Sequence, residues 1–274
     1  MKITYYGTSS SEAWPALFCS CQACLLAKKL GGKNIRSRSQ ALIDTSLLID
    51  FPPDTGYHVQ HLNLDLQQVR TLLITHSHHD HFFPYDIGMR MPGFAEGIGE
   101  SRLLIYGNET TQAKFQDAAR LYRGIERFVE FRRLEPFETF FTEDGYEVTS
   151  LLADHNQPEK SLIYLIKKEE RQILYAHDTG IFPECTWKFL EGIRLDFVSL
   201  DCTALSRDWS QGHMGFKAVD EVRDRLKEAG CVGRNTRLVL NHFAHFGDFT
   251  HEKICETENP KGYEVAYDGC IFEI

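Results

Sequence analysis

Short apolar runs alternate along this chain with polar stretches rich in Gly, Pro, Ser and Asp. Runs of that length, rich in Val, Ile, Leu, Tyr and Phe, predict buried strands more than helices. They fall at 2–6, 40–43, 47–50, 69–74, 103–106, 128–134, 137–141, 146–152, 162–167, 172–176, 195–200 and 237–240. Two hairpins stand out. One turns at Asp44-Thr45-Ser46 and is closed by Pro52-Pro53, and the other turns at the charged Lys168-Glu169-Glu170-Arg171. Helical spacing is confined to fewer places. Residues 109–122 follow Asn108, a good N-cap. Residues 216–229 put Val219, Val222 and Leu226 on one face and end at Gly230. A short helix is predicted around Leu25-Leu26-Ala27.

Strands dominate the first half, and helices are interspersed later. The fold class is therefore α+β, and two sheets covered by helices on both outer faces fit the order. Periodicity alone does not separate that layout from other α+β arrangements. The length permits one large domain or two small ones. No internal repeat, low-complexity stretch or linker divides it, so 1–274 is read as one domain. No apolar run reaches the roughly eighteen residues of a membrane span. The opening residues read as a strand and lack the features of a signal peptide. A cytoplasmic protein is the expectation.

The formal net charge of -9 disfavours an extended nucleic-acid partner, because that affinity is mostly phosphate neutralisation by Lys and Arg. A small phosphorylated substrate is a different matter, since bound divalent cations would dominate the local field. A homodimer is compatible with this reading.

The chemistry is concentrated at the end of the run 69–74. His76, His78, Asp80 and His81 follow it directly, in the order H-x-H-x-D-H. A strand that ends in imidazoles and a carboxylate presents metal ligands at a sheet rim, and the lack of thiolate there points to a catalytic metal. Three further candidates also come just after apolar strands: His155, Asp178 and His242. Ligands gathered from several strand ends can converge on one edge. A different cluster, Cys19, Cys21 and Cys24, packs three thiols into six residues, a pattern that in a reducing compartment holds zinc and needs a fourth ligand. Cys185, Cys202, Cys231, Cys255 and Cys270 are scattered and read as small buried hydrophobes.

The H-x-H-x-D-H motif with a distant His, Asp and His at strand ends resembles the metallo-β-lactamase superfamily, over nearly the whole chain from Gly7-Thr8 to the His242 region. The resemblance implies an αββα sandwich with a dinuclear metal centre at one edge. It implies that His76, His78 and His155 hold one metal, that Asp80, His81 and His242 hold the other, and that Asp178 bridges them. Asp50 would orient a ligand from behind, with a turn cap as the alternative. C-x-C-x-x-C early in the chain, with His245 three residues after His242, is similar to the phosphoribosyl cyclic phosphate phosphodiesterases of phosphonate breakdown. It is less closely similar to the pyrroloquinoline quinone biosynthesis B proteins. That likeness implies a structural zinc on Cys19, Cys21, Cys24 and His245. Oxygen-reducing di-iron relatives carry a carboxylate where His78 stands. Two departures, the glycine-poor loop Ser9-Ser10-Ser11-Glu12-Ala13-Trp14-Pro15 and His177 before the bridging Asp, are placed near the mouth of the site.

Two divalent metals about 3.5–4 Å apart can share a water and lower its pKa. Zinc or manganese suits the ligands, and iron is compatible. The expected activity is a phosphodiesterase that displaces a leaving oxygen in line with a metal-bridging hydroxide, on a small cyclic or nucleotide-like phosphodiester. Alternatives are a lactonase or nuclease on the same centre, or a non-hydrolytic metal protein of cofactor biosynthesis or binding. Asp80 would help hold the attacking water. His213, in Gln211-Gly212-His213-Met214-Gly215, is the candidate general acid. His58 and His61 are expected solvated in a polar loop, His79 at the surface or behind a ligand, and His251 at the start of the last helix. Phe82, Phe83, Pro84 and Tyr85 read as core or pocket wall. Arg90 is expected to pair with Asp86 four residues earlier.

Overall fold

The alternating apolar runs become two seven-stranded sheets in a computed structural model, which describes residues 1–98 and 101–274. The first sheet takes β1 (Lys2–Gly7), β2 (Gln40–Ile43), β3 (Leu47–Ile49), β4 (Thr71–Leu73), β5 (Leu103–Gly107) and β6 (Val129–Arg133). The second takes β7 (Thr139–Phe141), β8 (Glu147–Leu152), β9 (Leu162–Lys168), β10 (Arg171–Ala176), β11 (Phe197–Asp201), β12 (Arg237–Asn241) and β13 (Tyr263–Val265). The last strand, β14 (Ile271–Glu273), returns to the first sheet beside β1. The orders are β14-β1-β2-β3-β4-β5-β6 and β13-β12-β11-β10-β9-β8-β7. The helices are α1 (Gln22–Leu30), α2 (Thr55–His61), α3 (Glu109–Ala119), α4 (Glu184–Leu190), α5 (Phe216–Glu228) and α6 (His251–Glu258).

Side-chain alternation along the strands divides the apolar residues between two faces. Ile3, Ile43, Ile49 and Leu73 of the first sheet meet Tyr164, Ile166, Ile173, Tyr175 and Val239 of the second in the inter-sheet core. Leu48, Leu72, Ile74 and Ile105 point outward, under Phe115 of α3 and Ile87. On the far side Leu174, Val198, Leu200 and Leu240 lie under Ala23 of α1, Trp187 of α4, Val219 and Val222 of α5 and Ile254 of α6. The four layers are thus α, β, β, α. Asn108 caps α3 as expected, its side chain accepting from the Thr111 N–H at 2.9 Å.

Half of each sheet is parallel. In the first, Ile49 lies opposite Leu73 across β3 and β4. In the second, Ala176 lies opposite Leu200, and Leu200 opposite Leu240. Parallel neighbours end at the same edge, so the residues that leave β3, β4, β10, β11 and β12 emerge side by side.

Several expectations are corrected. The run 69–74 forms only the three-residue β4, Thr71–Leu73. The edge strands β13 and β14 and the short helices α2 and α4 were not anticipated. In α2 the hydrophobic pattern is inverted: Tyr57 and Val59 are exposed while His58 is buried. His58 therefore lies in a helix rather than a solvated loop, 2.6 Å from Gln40 Oε1 and 2.8 Å from Ser37 Oγ, and burial pushes its pKa down to about 4. His61 ends the same helix and is exposed. Arg90 does not pair with Asp86; it donates to the carbonyls of Phe128 (3.3 Å) and Ser101 (3.0 Å). Pro84–Arg90 is a 3-10 helix, whose three-residue turn does not stack positions four apart. Cys185 is exposed rather than buried. Among the described residues no helix is long and apolar enough to cross a membrane.

Ile166, fully buried between the sheets, gives a test of this core. Ile166→Ala is expected to lower unfolding free energy by about 2–5 kcal/mol in a denaturant titration, as for other buried Ile truncations. A loss well under 1 kcal/mol would mean that the sheets do not meet there.

Candidate metal centre

Beyond β4 the chain turns tightly, with the His81 and Phe82 N–H groups both donating to the His78 carbonyl at 3.1 and 2.8 Å. That turn puts His76, His78, Asp80 and His81 on the same side, at the edge where the parallel strands end. Phe82 is core. His79 points into solvent, with its side chain 64% exposed. His155 arrives after β8, Asp178 after β10 and His242 after β12. Asp50, Asp178 and His242 have φ of 64°, 50° and 62°. Non-glycine residues rarely take this left-handed conformation, and it turns each side chain sharply out of its strand.

Two groups form. His76 Nε2 lies 2.9 Å from His78 Nδ1, which lies 3.2 Å from His155 Nε2. Beside them, Asp80, His81, Asp178 and His242 bring one ligand atom each within 4.8 Å of one another. His81 Nε2 is 3.1 Å from His242 Nε2 and 3.3 Å from Asp80 Oδ2, and it touches Asp178 Oδ2. Asp178 faces both groups: Oδ1 is 3.6 Å from His155 Nε2, and Oδ2 is 3.0 Å from His242 Nε2. The sequence-derived set is therefore assembled in full.

The outer ring nitrogens decide what the inner ones can do. His81 Nδ1 meets Asp50 Oδ2 at 2.7 Å, His76 Nδ1 meets Thr75 Oγ1 at 3.0 Å, His155 Nδ1 meets the Gly212 carbonyl at 2.9 Å, and His242 Nδ1 meets Thr203 Oγ1 at 2.7 Å. These partners accept the outer ring protons, which leaves a lone pair on the inner nitrogen of each ring when that ring is neutral. Lone pairs converging at about 3 Å repel unless a cation sits among them. Asp178 Oδ2 is buried against the inner nitrogens of His81 and His242, where a ligand atom would be. The residues fit divalent metals.

Electrostatics differ between the groups. Burial pushes the His76 and His78 imidazoles down, so they stay neutral. Burial also opposes charge on His81 and His242, but Asp178 and its neighbouring carboxylates outweigh it. They raise His81 well above the ordinary range and push His242 up to about 10. Burial lifts Asp50, whereas His81 holds Asp80 below the usual carboxylate range despite burial.

His213 completes the edge. Its Nδ1 is 3.2 Å from Asp201 Oδ2 and 3.4 Å from Asp178 Oδ1, and its side chain is 25% exposed. Asp201 was missed at the sequence level. Its carboxylate accepts from the N–H groups of Asp178 (3.2 Å), Thr203 (3.1 Å) and Met214 (2.9 Å) and from Thr203 Oγ1 (2.9 Å). The same signal that marked Asp178, a carboxylate where an apolar strand ends, was present after Leu200. His177 is corrected. It is not at the mouth but fully buried beneath Asp178, bonded to Ser199 Oγ at 2.6 Å and packed on Tyr175. Ser9, Ser10 and Trp14 of the preceding loop are likewise buried, so that loop is largely packing.

The thiol cluster also assembles. Cys19, Cys21, Cys24 and His245 offer ligand atoms within 4.8 Å of one another. His245 Nδ1 is 3.3 Å from Cys21 Sγ and 3.7 Å from Cys19 Sγ. Burial pushes the Cys24 thiol up to about 12, while the Cys21 N–H lowers Cys19. Three sulfurs and one imidazole fill a tetrahedron and leave no open position.

Comparisons with known proteins bear on this geometry. No curated protein matches the sequence. The structure of Zn2+-bound PqqB from Methylobacterium extorquens is similar over 100% of both chains, with 16% identity and a TM-score of 0.75. A diphosphatase of the PhnP family is similar over 100% of this chain and 98% of its own, with 23% identity and a TM-score of 0.71. The short form of human tRNase Z is similar over 100% and 99%, with 16% identity and a TM-score of 0.67. Identities this low establish the fold. The sequence model of the beta-lactamase superfamily domain matches residues 41–243, well over half of the chain. With the αββα sandwich and the His/Asp edge in place, this chain belongs to the beta-lactamase superfamily, as a hydrolase of the metallo-β-lactamase fold.

Proposed function

We propose that the protein is a dinuclear metal-dependent phosphodiesterase acting on a small cyclic or nucleotide-like phosphodiester. The observation that carries this reading is Asp178, whose two oxygens face the His76/His78/His155 group and the Asp80/His81/His242 group. A carboxylate so placed would serve two cations at once. Zinc or manganese suits these ligands, with iron compatible. Cys19, Cys21, Cys24 and His245 would hold a separate structural zinc.

When bound, the cations would polarise the phosphoryl oxygens and lower the pKa of nearby water. The chain's own residues do the rest. Asp50, Thr75, Gly212 and Thr203 fix the ring tautomers from behind. Asp80 lies at the edge, with an oxygen 3.3 Å from His81 Nε2, and is placed to hold the attacking water. His213 Nδ1 is anchored on Asp201, which leaves Nε2 to carry a proton to the leaving oxygen. Asp201 and Asp178 raise the His213 pKa against the effect of burial, which favours the protonated ring. The net charge of -9 favours a small phosphodiester over an extended nucleic acid.

Bis(p-nitrophenyl) phosphate should be hydrolysed after zinc or manganese loading, and on a phosphodiester with an alkoxide leaving group His213→Ala should lower kcat by about 10²-fold or more, as for other general acids. Absence of turnover with both metals in place would sink the reading, and full activity in His213→Ala would remove that residue's role.

Elemental analysis gives a second test. Asp178→Ala should lose the active-site pair and retain one zinc on the thiol cluster.

The charge difference between the groups sets a pH dependence. Metal binding needs neutral imidazole, and His242 holds its proton up to about pH 10. Filling the Asp80/His81/Asp178/His242 group near neutrality must therefore expel protons, whereas the neutral His76 and His78 expel none. Affinity of the first of these should fall more steeply as pH drops, and indicator dyes should register proton release on its filling. Equal pH slopes for both would contradict the assignment.

A further inference from the structure

His78 differs from the other imidazoles of the edge. His76, His81, His155 and His242 each have a partner for the outer ring nitrogen. Among the described residues no hydrogen bond reaches His78 Nε2, so its ring is placed by its backbone. That backbone is held at Ser77, and the group that holds it is Glu159.

Glu159 lies on the loop between β8 and β9, four residues after His155, and is buried. Its carboxylate accepts four hydrogen bonds. Oε1 takes the Ser77 N–H at 2.9 Å and Asn108 Nδ2 at 2.8 Å. Oε2 takes Ser77 Oγ at 2.6 Å and Asn156 Nδ2 at 3.1 Å. The Ser77 carbonyl accepts from Lys114 Nζ at 2.7 Å, so all three polar groups of Ser77 are engaged. Short bonds to a carboxylate oxygen are the strong ones. Ser77 lies between His76 and His78, and Asn156 adjoins His155. One carboxylate thus ties together the two segments that carry the three imidazoles. Asn108, which caps α3, fixes that carboxylate to the helix.

We infer that Glu159 is a positioning residue that sets the geometry, and hence the metal affinity, of the His76/His78/His155 group selectively. This rests on the reading of that group as one half of a metal pair. Glu159 bonds to no side chain of the Asp80/His81/Asp178/His242 group. Its effect on His78 matches the effect of Asp50 on His81, but it acts through the main chain.

The test is a titration of metal-free protein with Co2+ against a competing chelator, followed by visible absorption. The absorption of the imidazole group is assigned with His78→Ala, and the thiol-bound metal is read separately in the near ultraviolet. Glu159→Gln keeps the shape but turns one acceptor oxygen into a donor. It should weaken the imidazole group by about 10–100-fold, the usual cost of losing a residue that supports a ligand, and leave the other group unchanged. Ser77→Ala removes only the hydroxyl bond. It should weaken the same group by less, and the double variant should be non-additive. General destabilisation would weaken both groups together, so equal loss in both overturns the inference, as does no loss in either. If Glu159→Gln does not fold, Ser77→Ala carries the same comparison. If the wild-type edge takes one metal in place of two, the dinuclear reading fails, while the affinity of the imidazole group still decides the role of Glu159.

Discussion

The architecture turns on a set of lone pairs that face one another at a buried edge. His76, His78 and His155 bring ring nitrogens to 2.9 and 3.2 Å, and Asp178 adds a buried oxygen 3.0 Å from His242 Nε2. Such groups are costly to bury unless a cation or a proton lies among them. The two halves meet that demand differently without metal. Neutral rings fill one half, while the other holds carboxylates against rings driven toward the charged form. The same pocket is thus poised between protons and metal ions.

Parallel pairing is what makes this edge. Register places Ala176, Leu200 and Leu240 in one row, and the residues just beyond them are Asp178, Asp201 and His242. The outer sheet faces spend their apolar residues on helices, which leaves the strand ends as the place where polar groups can gather. Asp201 uses this position twice over. Its carboxylate binds the backbone of Asp178 and Met214, and it also lies within reach of His213 and His242. A shift of one strand by one residue would move the whole set.

Much of this was legible in the sequence because ligands must follow strands. Every proposed ligand of the pair sits a few residues past an apolar run, and those runs were visible. The layered α+β order was visible too. What failed was local. The pattern of α2 is inverted, with Tyr57 and Val59 outward and His58 inward, so hydropathy gave the wrong face. The pairing expected of Arg90 assumed an α-helix where the chain forms a tighter one. His177 was placed at the mouth because it adjoins Asp178, but it lies just past β10 with its ring buried against Tyr175 and Ser199. Asp201 was missed although it carries the signal that marked Asp178, a carboxylate where an apolar strand ends, and Glu159 was missed because a single loop carboxylate carries no spacing.

The thiol cluster is connected to the edge by very little chain. His242 and His245 are three residues apart, and the left-handed turn at His242 sends one ring inward while the backbone continues toward Cys19 and Cys21. Ser9 bridges to Phe243 between them, so the N-terminal loop and the β12 exit are paired at that point. A closed tetrahedral site on Cys19, Cys21, Cys24 and His245 would fix the far end of this segment. The near end is fixed by Thr203, whose Oγ1 accepts from the His242 ring while donating to Asp201. A non-glycine residue in a left-handed conformation persists only where its surroundings over-determine it. Anchors at both ends of the segment supply that constraint, which gives the thiol cluster a reason to lie beside the metal edge rather than elsewhere on the surface.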